Sequence, residues 1–403
     1  MSELESQPFV IHSAPFGILA SSSASSSGPR SSSSSPSSST NKEQSSSEVL
    51  NEMMQPVIDA ISADPSQPFF KRINSSSPST TTTTTTSTFD VNKFASMLTT
   101  SSLGRAIATT PVTSSTQDFI SAVTQADNNT LKVPLGFVAL ADLQTKGRGR
   151  GNNVWKHDNS ANTQLAFTAL WQFAGNASAL ASLQHVVCVA AAQASQALRI
   201  KWPNDLYTHA PPTKDTSSLD GTVAARIVTS DGVCQGKAGG VLCTASVASG
   251  KRASPPGCAH ISVGDAAAVF DVAIGVGINV MPHPPFASLS DAADAGIIKH
   301  VSREEVLARL CNELEPLLMR HVVSGFDAEM RSTYTQRWVH DNHVLRVASS
   351  LSSSTQPEEV RLENVTESGF LVGRMVRDGS RVELHPDQCS VDLMEGLVVA
   401  KRL

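Results

Sequence analysis

Residues 136–151 read GFVALADLQTKGRGRG, an apolar run followed by a loop in which glycine alternates with arginine. The apolar part, 136–142, is short and bounded by turn-forming residues, which predicts a buried strand. Glycines leave backbone N–H groups accessible, and Arg148 and Arg150 place two guanidinium groups beside them. A phosphorylated or carboxylated ligand needs such donors and such charge. The stretch therefore predicts a sheet with a ligand-binding loop at the end of one strand.

Two other interpretations of this alternation stay open from these residues alone. One is a plain flexible turn, and the other is an RNA-binding Arg-Gly tract. Such tracts repeat many times in low-complexity surroundings, whereas this one occurs once, between predicted strands. The loop is also not a common nucleotide fingerprint, because its glycines lack the spacing G-x-G-x-x-G and the chain contains no G-x-x-x-x-G-K-[ST].

The segments around the loop predict a layered α/β domain over roughly residues 95–330. An alanine-rich segment, 179–198, carries apolar residues on one face and predicts a buried helix. Ser302 and Glu305 have the spacing of a capping box, which predicts the start of another helix. Three short apolar runs predict further strands, at 165–171, 198–202 and 269–280.

The character of the sequence changes after Tyr334. Short alternating segments separated by turn residues predict a small antiparallel barrel of about 65 residues, near the lower size limit of independent stability. These segments are 344–348, 359–364, 370–376 and 381–385. Within the larger domain, 208–236 and 246–259 are rich in turn formers and predict inserted surface loops.

Composition separates a tail from the folded part. Residues 1–88 are dominated by serine and threonine, which predicts disorder because such tracts bury little apolar area. Helical spacing of apolar residues at 48–61 indicates a transient helix within this tail, with a partner-binding helix as the alternative. The chain has 31 Lys+Arg against 36 Asp+Glu, a net charge of −5, which argues against a nucleic-acid partner.

The sequence also bears on the cellular compartment. Its 6 cysteines are scattered without a C-x-x-C pair, so we expect reduced thiols rather than disulfides or a structural zinc. No apolar run approaches the roughly 20 residues that cross a bilayer, and we expect no membrane partner. The start of the chain lacks the order of a secretory signal. We therefore expect a cytoplasmic protein, with an organelle address in the Ser-rich start left open.

Three further motifs follow the loop. KWPNDLY at 201–207 places Asn204 and Asp205 in a turn after a strand that Pro203 ends. An Asx turn explains these two residues but not the preceding lysine and tryptophan. KAGGVL at 237–242 and GVGINV at 275–280 place glycines inside strands, which marks bulges or close approach of a ligand. Asn279, in the last motif, offers an amide of the kind that pairs with adenine.

In this order, the motifs resemble those of the biotin–protein ligases, most closely the eukaryotic holocarboxylase synthetase type. The quoted elements are GRGRGNNVW (147–155), KWPNDLY, KAGGVL and GVGINV. Ser115-Thr116-Gln117 resembles an early Ser-Thr-Asn element of the family, and RWVH (337–340) and HPD (385–387) resemble the start and close of its C-terminal cap. The resemblance covers about residues 90–403.

The resemblance implies a class II aminoacyl-tRNA-synthetase-like catalytic domain with a mixed sheet and flanking helices, over 89–333, and an SH3-like β-barrel over 334–403. It implies that biotin and ATP form biotinyl-5′-AMP, with Mg²⁺ arriving on ATP, and that biotin then passes to a lysine. That lysine would belong to the biotin carboxyl carrier domain of a biotin-dependent carboxylase.

The resemblance also assigns roles to residues. The implied catalytic residues are Arg148, Arg150 and Lys237. Biotin contacts fall on Ser115, Thr116, Gln117, Gln144, Gly147, Arg148, Arg150 and Gly240. Nucleotide contacts fall on Trp155, Lys201, Asn204, Asp205, Lys237 and Asn279. No metal ligands are implied. Two positions depart from the family pattern: Asn152 stands where a glycine is usual, and Gln117 replaces the commoner asparagine.

Several alternatives remain beside this interpretation. Lipoate–protein ligases share the reaction type but lack the KWPND element and this arginine-glycine loop. A catalytically inactive interaction protein of the same fold would not need Arg148, Arg150, Lys201 and Lys237. A DNA-binding regulator is disfavoured because 1–88 shows no helix-turn-helix pattern. No G-x-S-x-G elbow suggests a hydrolase, and Cys258 and His260 lack further metal ligands nearby.

Overall fold

The computed structural model describes residues 10–13, 87–126, 133–151, 153–155, 162–174, 177–210, 227–229, 232–248, 268–341, 343–347, 358–386, 389–392 and 397–400. Within these residues no helix is long and apolar enough to cross a membrane. The helix predicted at 48–61 lies outside them, as do Asn152, Cys258 and His260. All of the described cysteines are free thiols.

A mixed sheet forms the centre of the larger domain. Its strands are β1 (Val10–Ser13), β2 (Ala106–Thr113), β3 (Val138–Gln144), β4 (Gln164–Ala174), β5 (Leu198–Lys201), β6 (Asp205–Ala210), β7 (Ile227–Thr229), β8 (Gly232–Val247) and β9 (Val269–Asn279). The order is β1-β2-β3-β4-β9-β8-β6-β5, with β7 paired to β8. β2 and β3 run parallel, and the other pairs run antiparallel. The predicted α/β class is confirmed.

Helices flank this sheet. They are α1 (Val91–Ser96), α2 (Thr116–Ala126), α3 (Leu183–Ala194), α4 (Leu289–Asp294), α5 (Arg303–Ser324) and α6 (Ala328–Gln336), with a 3₁₀ turn at Ala177–Ser182 before α3. The capping box predicted at Ser302 is confirmed, because its side chain accepts from the backbone N–H of Glu305 while that carboxylate accepts from Ser302. α3 packs against α5 and α6.

The two faces of the sheet differ in character. Successive side chains along a strand point to opposite faces. On β4, Phe173 packs against His321 of α5, with ring centroids 5.6 Å apart, so the odd-numbered residues of β4 face that helix layer. The even-numbered residues, Gln164, Ala166 and Thr168, therefore lie on the other face. That second face carries α2, which packs on β3, β4 and β9.

A second, six-stranded sheet forms the C-terminal domain. Its strands are β10 (Val344–Val347), β11 (Glu358–Val365), β12 (Leu371–Met375), β13 (Arg381–Leu384), β14 (Cys389–Asp392) and β15 (Leu397–Ala400). The order is β13-β12-β11-β10-β15-β14, antiparallel except for the parallel pair β10–β15. The four predicted C-terminal strands are confirmed, and β14 and β15 are additional.

The segment between the two sheets extends the larger sheet at its β5 edge. Ile200 N–H donates to the carbonyl of Arg337 at 2.8 Å, and Val339 N–H donates to the carbonyl of Ile200 at 2.9 Å. Ile200 and Trp338 form a parallel bridge. The boundary predicted between residues 333 and 334 falls inside α6. The C-terminal domain is therefore attached directly to the strand that leads into the KWPNDLY motif.

Some sequence predictions need correction. The surface loop predicted over 208–236 contains the end of β6, all of β7 and the start of β8. The loop predicted at 246–259 begins inside β8, which continues to Val247. The helix predicted at 179–198 is shorter, because a 3₁₀ turn precedes α3 and a break follows it before β5. β1 lies within the tail predicted to be disordered, and the residues between it and Ser87 lie outside the described part.

Candidate active site

Small residues line up across the second face of the sheet. Ala141, Ala166, Gly277, Gly240 and Asp205 are successive Cα partners on β3, β4, β9, β8 and β6. Residues in register across a sheet point to the same face. Together they form a shallow floor, with the carboxylate of Asp205 at one end.

The indole of Trp155 lies on the glycines of this floor. A Cβ atom on Gly277 would lie 2.7 Å from Cε2 of Trp155, and one on Gly240 would lie 3.7 Å from Cζ3. At Gly277 the group that approaches closely is the Trp155 ring, which a Cβ atom would displace, and the close approach of a ligand stays a prediction. Trp155 Nε1 donates to Gln164 Oε1 at 3.1 Å, which fixes the orientation of the indole.

The arginine-glycine loop folds back on itself. Trp155 N–H donates to the Gly147 carbonyl at 2.9 Å, and Gly149 N–H donates to the Asn153 carbonyl at 2.8 Å. Gly151 has a φ of 64°, the left-handed conformation that glycine adopts without strain. The predicted ligand loop is therefore a tight hairpin whose two arms end at the floor.

The two arginines of the loop contact different parts of the molecule. Arg148 Nη1 lies 2.8 Å from Asp118 Oδ1 of α2, in a pair that is half exposed. Arg150 Nη2 donates to the carbonyl of Pro386 in the C-terminal domain. The loop is thus joined both to the helix beside the site and to the second domain.

Polar side chains gather where α2 begins. The Thr116 N–H donates to Gln144 Oε1 at 2.8 Å, and the Thr116 and Thr168 hydroxyls are 2.8 Å apart. Ser115 is buried, and its Oγ has no hydrogen-bond partner within the described part of the chain. An unpaired buried hydroxyl is costly, so this one is suited to a polar group of a ligand.

Gln117 is held differently from its neighbours. Its Nε2 donates to the Leu242 carbonyl at 2.8 Å, and its Oε1 accepts from Thr244 Oγ1 at 3.1 Å. The side chain lies so close to Gly275 that a Cβ atom there would overlap it. Gln117 thus fastens α2 to β8 and β9, and the biotin contact predicted for it stays a prediction.

A second polar group lies at the Asp205 end of the floor. Lys237 Nζ lies 2.6 Å from Asp205 Oδ1, and Lys201 Nζ lies 3.7 Å from Oδ2 of the same carboxylate. Asn204 Nδ2 donates to the Val241 carbonyl at 2.7 Å, which places the turn against β8. The two lysines concentrate positive charge beside Trp155, as a polyphosphate requires.

Asn279 lies behind Trp155 and is buried. Its Oδ1 accepts from Gln164 Nε2 at 3.0 Å, and its Nδ2 donates to the Ala287 carbonyl at 3.0 Å. Both ends of the amide are therefore engaged within the protein. The direct adenine contact predicted for this residue stays a prediction, and the geometry gives it a supporting position behind the indole.

The two polar groups share one face of the sheet. Thr168 is two residues from Ala166 on β4, and Gly275 is two residues from Gly277 on β9. Two residues along a strand span about 7 Å. The Ser115–Gln144 group and the Trp155–Lys237 group are thus neighbours on adjacent rows of one surface.

Three residues of this site were not predicted from the sequence: Gln164, Thr168 and Asp118. A signal for the first two was present, because Gln164, Ala166 and Thr168 alternate as polar or small residues within an otherwise apolar strand. Such alternation marks one face as different from the other. Asp118 gave no comparable signal, since a carboxylate in the first turn of a helix is common for electrostatic reasons.

No cluster of three metal-ligating side chains occurs among the described residues. The carboxylate nearest the floor, Asp205, is already paired with two lysines. The donor set in this part of the chain therefore does not fit a resident metal ion.

Part of the chain that contains this site is similar to a known protein family. Residues 109–245 match the sequence model of the Biotin/lipoate A/B protein ligase family. This range runs from within β2 to within β8 and includes the arginine-glycine loop, Asp205 and Lys237. Over this range the chain is similar to that family.

The chain is also similar to biotin–protein ligases over most of its length. Biotin–protein ligase 2 of Arabidopsis thaliana is 27% identical over 333 residues, covering 78% of this chain and 83% of the relative. Chloroplastic biotin–protein ligase 1 of the same plant is 26% identical, covering 78% and 74%. A biotin protein ligase of Aquifex aeolicus, solved with biotin and ATP, aligns with a TM-score of 0.42 and 18% identity over 69% of this chain and 95% of its own.

Proposed function

We propose that this protein is a biotin–protein ligase that activates biotin with ATP and transfers it to a lysine of a biotin carboxyl carrier domain. One observation carries the proposal. A floor of small residues has an unpaired buried hydroxyl, that of Ser115, on one row and an indole with two lysines on the next. This arrangement suits a small polar acid beside a nucleotide.

In the first step, a carboxylate oxygen of biotin attacks the α-phosphorus of ATP. A new P–O bond forms, the bond to the bridging oxygen of the β-phosphate breaks, and pyrophosphate leaves. Two negatively charged groups must approach each other, so positive charge has to be in place beforehand. Lys237 is positioned for this role, because its ammonium already holds one carboxylate at the edge of the floor.

The hydroxyls of Ser115 and Thr116 would hold the ureido end of biotin. Gln144 fixes Thr116 through both its N–H and its hydroxyl, at 2.8 Å and 3.1 Å. The neighbouring Ser115 Oγ has no such partner within the described residues, so it can hydrogen-bond a ligand. Trp155 would support the adenine, with Gln164 and Asn279 behind it.

In the second step, the neutral amine of a carrier lysine attacks the acyl carbon of biotinyl-5′-AMP, AMP leaves with the electron pair of the broken C–O bond, and the proton lost from the nitrogen passes to the AMP phosphate. The adenylate is an activated acyl donor, so the chain need not supply an acid/base pair. It must instead exclude water. Arg148 and Arg150 would close over the adenylate by exchanging their present partners for its phosphate.

Mg²⁺ enters this scheme as part of the substrate MgATP. The described side chains offer no dedicated cluster for it, and Mg²⁺ commonly binds through substrate phosphates. Its chemistry would be to neutralise charge on the phosphates, while Lys201, Lys237 and Asp205 position the nucleotide.

The test is direct. The purified protein, biotin, MgATP and an apo carrier domain are expected to yield carrier biotinylated on lysine, detected by intact mass. Omitting ATP should abolish the product. Absence of both adenylate and labelled carrier from a folded protein would reject the proposal and favour an inactive interaction protein of the same fold.

Lipoate is the competing substrate, because the matched family includes lipoate ligases. Thermal-shift measurements with biotin and with lipoate separate the two. We expect stabilisation by biotin, as ligands that bind only the folded state raise the melting temperature. Stabilisation by lipoate alone would reassign the substrate.

A further inference from the structure

One hydrogen bond from the C-terminal part of the chain holds Pro203, and two hold Trp202. Its backbone N–H donates to His340 Nε2 at 2.9 Å, and its indole Nε1 donates to the Gly369 carbonyl at 2.9 Å. The Tyr334 hydroxyl donates to the carbonyl of Pro203 at 3.4 Å. Trp202 itself is completely buried. The turn that follows β5 is thus anchored to residues outside the catalytic sheet.

His340 is built to act as a hydrogen-bond acceptor. It is completely buried, and this burial, together with the charge of Lys201 and the neighbouring His343, holds its pKa well below the usual value. The ring is therefore neutral, and Nε2 accepts the Trp202 N–H. Trp338 packs edge-on against the ring at 5.5 Å, which fixes its orientation.

The anchored turn carries Asn204 and Asp205, which lie beside the proposed nucleotide position. Asn204 follows Trp202 by two residues and pairs with Val241 in both directions, through its Nδ2 and its carbonyl. Asp205 follows next and holds Lys237 at 2.6 Å. A displaced Trp202 backbone would shift the start of β6 and the carboxylate that orients the lysine.

The glycine at 369 shows how closely the two domains meet here. Gly369 has a φ of 79°, and a Cβ atom there would overlap the ring of His185 on α3. The interface at Trp202 therefore has little freedom to rearrange. A side chain that hydrogen-bonds the Trp202 backbone therefore holds it at a fixed position relative to both domains.

We propose that His340 is a positioning residue for nucleotide activation: its Nε2 holds the Trp202 N–H and so fixes the turn that presents Asn204 and Asp205 to Lys237. This inference rests on the proposed function. It gives the segment between the domains, which contains His340, a part in positioning the nucleotide site. The motif residues alone do not account for that positioning.

Two substitutions at His340 separate the acceptor from the bulk of the side chain. In His340→Gln, Oε1 can replace Nε2 as acceptor, whereas His340→Leu retains an apolar volume without one. We expect His340→Leu to raise the KM for ATP by about 10-fold or more, since a buried N–H without a partner forces the turn to move. Biotin affinity, measured by calorimetry without ATP, should change less than about 3-fold, and His340→Gln should stay near wild type.

A third variant controls for domain docking in general. Trp202→Phe removes the hydrogen bond to Gly369 but keeps the backbone N–H that His340 holds. We expect it to lower the melting temperature while the KM for ATP stays near wild type. An equal rise in KM for Trp202→Phe and His340→Leu would overturn the inference, because docking rather than this bond would then position the turn.

Amide exchange tests the bond without any substitution. In the wild-type protein the Trp202 amide should exchange at least about 100-fold more slowly than a free peptide amide. Rapid exchange would overturn the inference even if His340→Leu failed to fold. An unchanged KM for ATP in a folded His340→Leu would do the same. A wild-type protein that forms no biotinyl-5′-AMP would reject the proposed function, while the exchange result would still report on His340.

Discussion

At the scale of single residues, Lys237 is the side chain with the clearest assignment. Its ammonium lies 2.6 Å from Asp205 Oδ1, and its side chain is 34% exposed, so a ligand can reach the side chain. Lys201 lies 3.7 Å from the same carboxylate. Removing Lys237 would therefore leave Asp205 with a cationic partner and the fold intact.

We expect Lys237→Ala to lower the rate of biotinyl-5′-AMP formation by about 100- to 1000-fold, the usual effect of removing one preorganised electrostatic group. The measurement is pyrophosphate release with biotin and MgATP, alongside circular dichroism. Lys93→Ala is a matched control, because Lys93 is exposed on α1, where its Nζ donates to Ser302. Robust pyrophosphate release from Lys237→Ala would refute the catalytic role.

Arg150 supports a different prediction, about retention of the intermediate. Its guanidinium joins the loop to the Pro386 carbonyl. We expect Arg150→Gly to let activated biotin escape, so that bystander proteins become biotinylated on accessible lysines. Mass spectrometry of a mixture with serum albumin would detect this. Normal retention of the adenylate by the variant would show that the loop is not the seal.

Residue identities were predictable wherever a motif constrained them. The loop, KWPNDLY and KAGGVL placed Trp155, Asp205 and Lys237 in the site, and the structure brings these three together. The sequence could not show that the amide of Asn279 is engaged at both ends, because its partners lie 115 and 8 residues away. Long-range pairing of this kind depends on the fold and not on local pattern.

Among the secondary-structure elements, strand β1 of the N-terminal tail pairs with the outer side of β2. Val10–Ser13 pairs antiparallel with Ala106–Thr109 and stops before Pro111, which has no N–H to offer. An edge strand is a template for further pairing, and β1 covers half of this one. Four residues of ordinary composition give no signal of such pairing, so sequence analysis predicted only disorder there.

This strand can be tested by hydrogen exchange. Ile11→Pro removes a backbone N–H from β1, and we expect the amides of Ala106–Thr109 that face β1 to exchange at least about 10-fold faster. Ile11→Val is the control, and the amides of β4 should be unaffected in both variants. Identical exchange at Ala106–Thr109 in wild type and Ile11→Pro would mean that β1 does not protect the edge in solution.

The strands that sequence analysis identified were those with a strong apolar pattern, such as β3, β4 and β9. Their ends were less predictable, because tertiary pairing decides where a strand stops. β8 illustrates this: its 16 residues run through a region predicted to be partly loop, since both β6 and β9 pair with it. Local turn formers were overridden by two neighbouring strands.

At the scale of the whole molecule, a chain of buried rings joins the helix layer to the C-terminal domain. His185 stacks on Phe326 at 5.8 Å and meets Tyr334 edge-on at 5.2 Å, and Tyr334 leads through Trp338 to His340. His321 lies in the same layer, with Nε2 3.0 Å from Ser182 Oγ. Histidines packed this way must stay neutral in the folded state.

These histidines make the stability of the protein sensitive to acid. Burial, aided by the charge of Arg150, lowers the pKa of His185 to about 3, and burial lowers that of His321 to about 4. In the unfolded chain both take up a proton near pH 6.5. The unfolded state thus binds more protons below pH 6.5, so this contribution to stability is complete above pH 6.5 and is lost as the pH falls toward 4 and then 3.

We expect the free energy of unfolding to fall by about 1–2 kcal/mol per buried histidine between pH 7 and pH 5. Denaturant melts at the two pH values measure the loss, and His321→Gln isolates one contribution, because Gln can still hydrogen-bond Ser182 but does not titrate. The loss should be smaller in that variant by about the share of one histidine, whereas His300→Gln, at an exposed position, should leave it unchanged. Equal acid sensitivity of wild type and His321→Gln would show that His321 is protonated in the folded state, and the buried ring layer would then have to accommodate a charge.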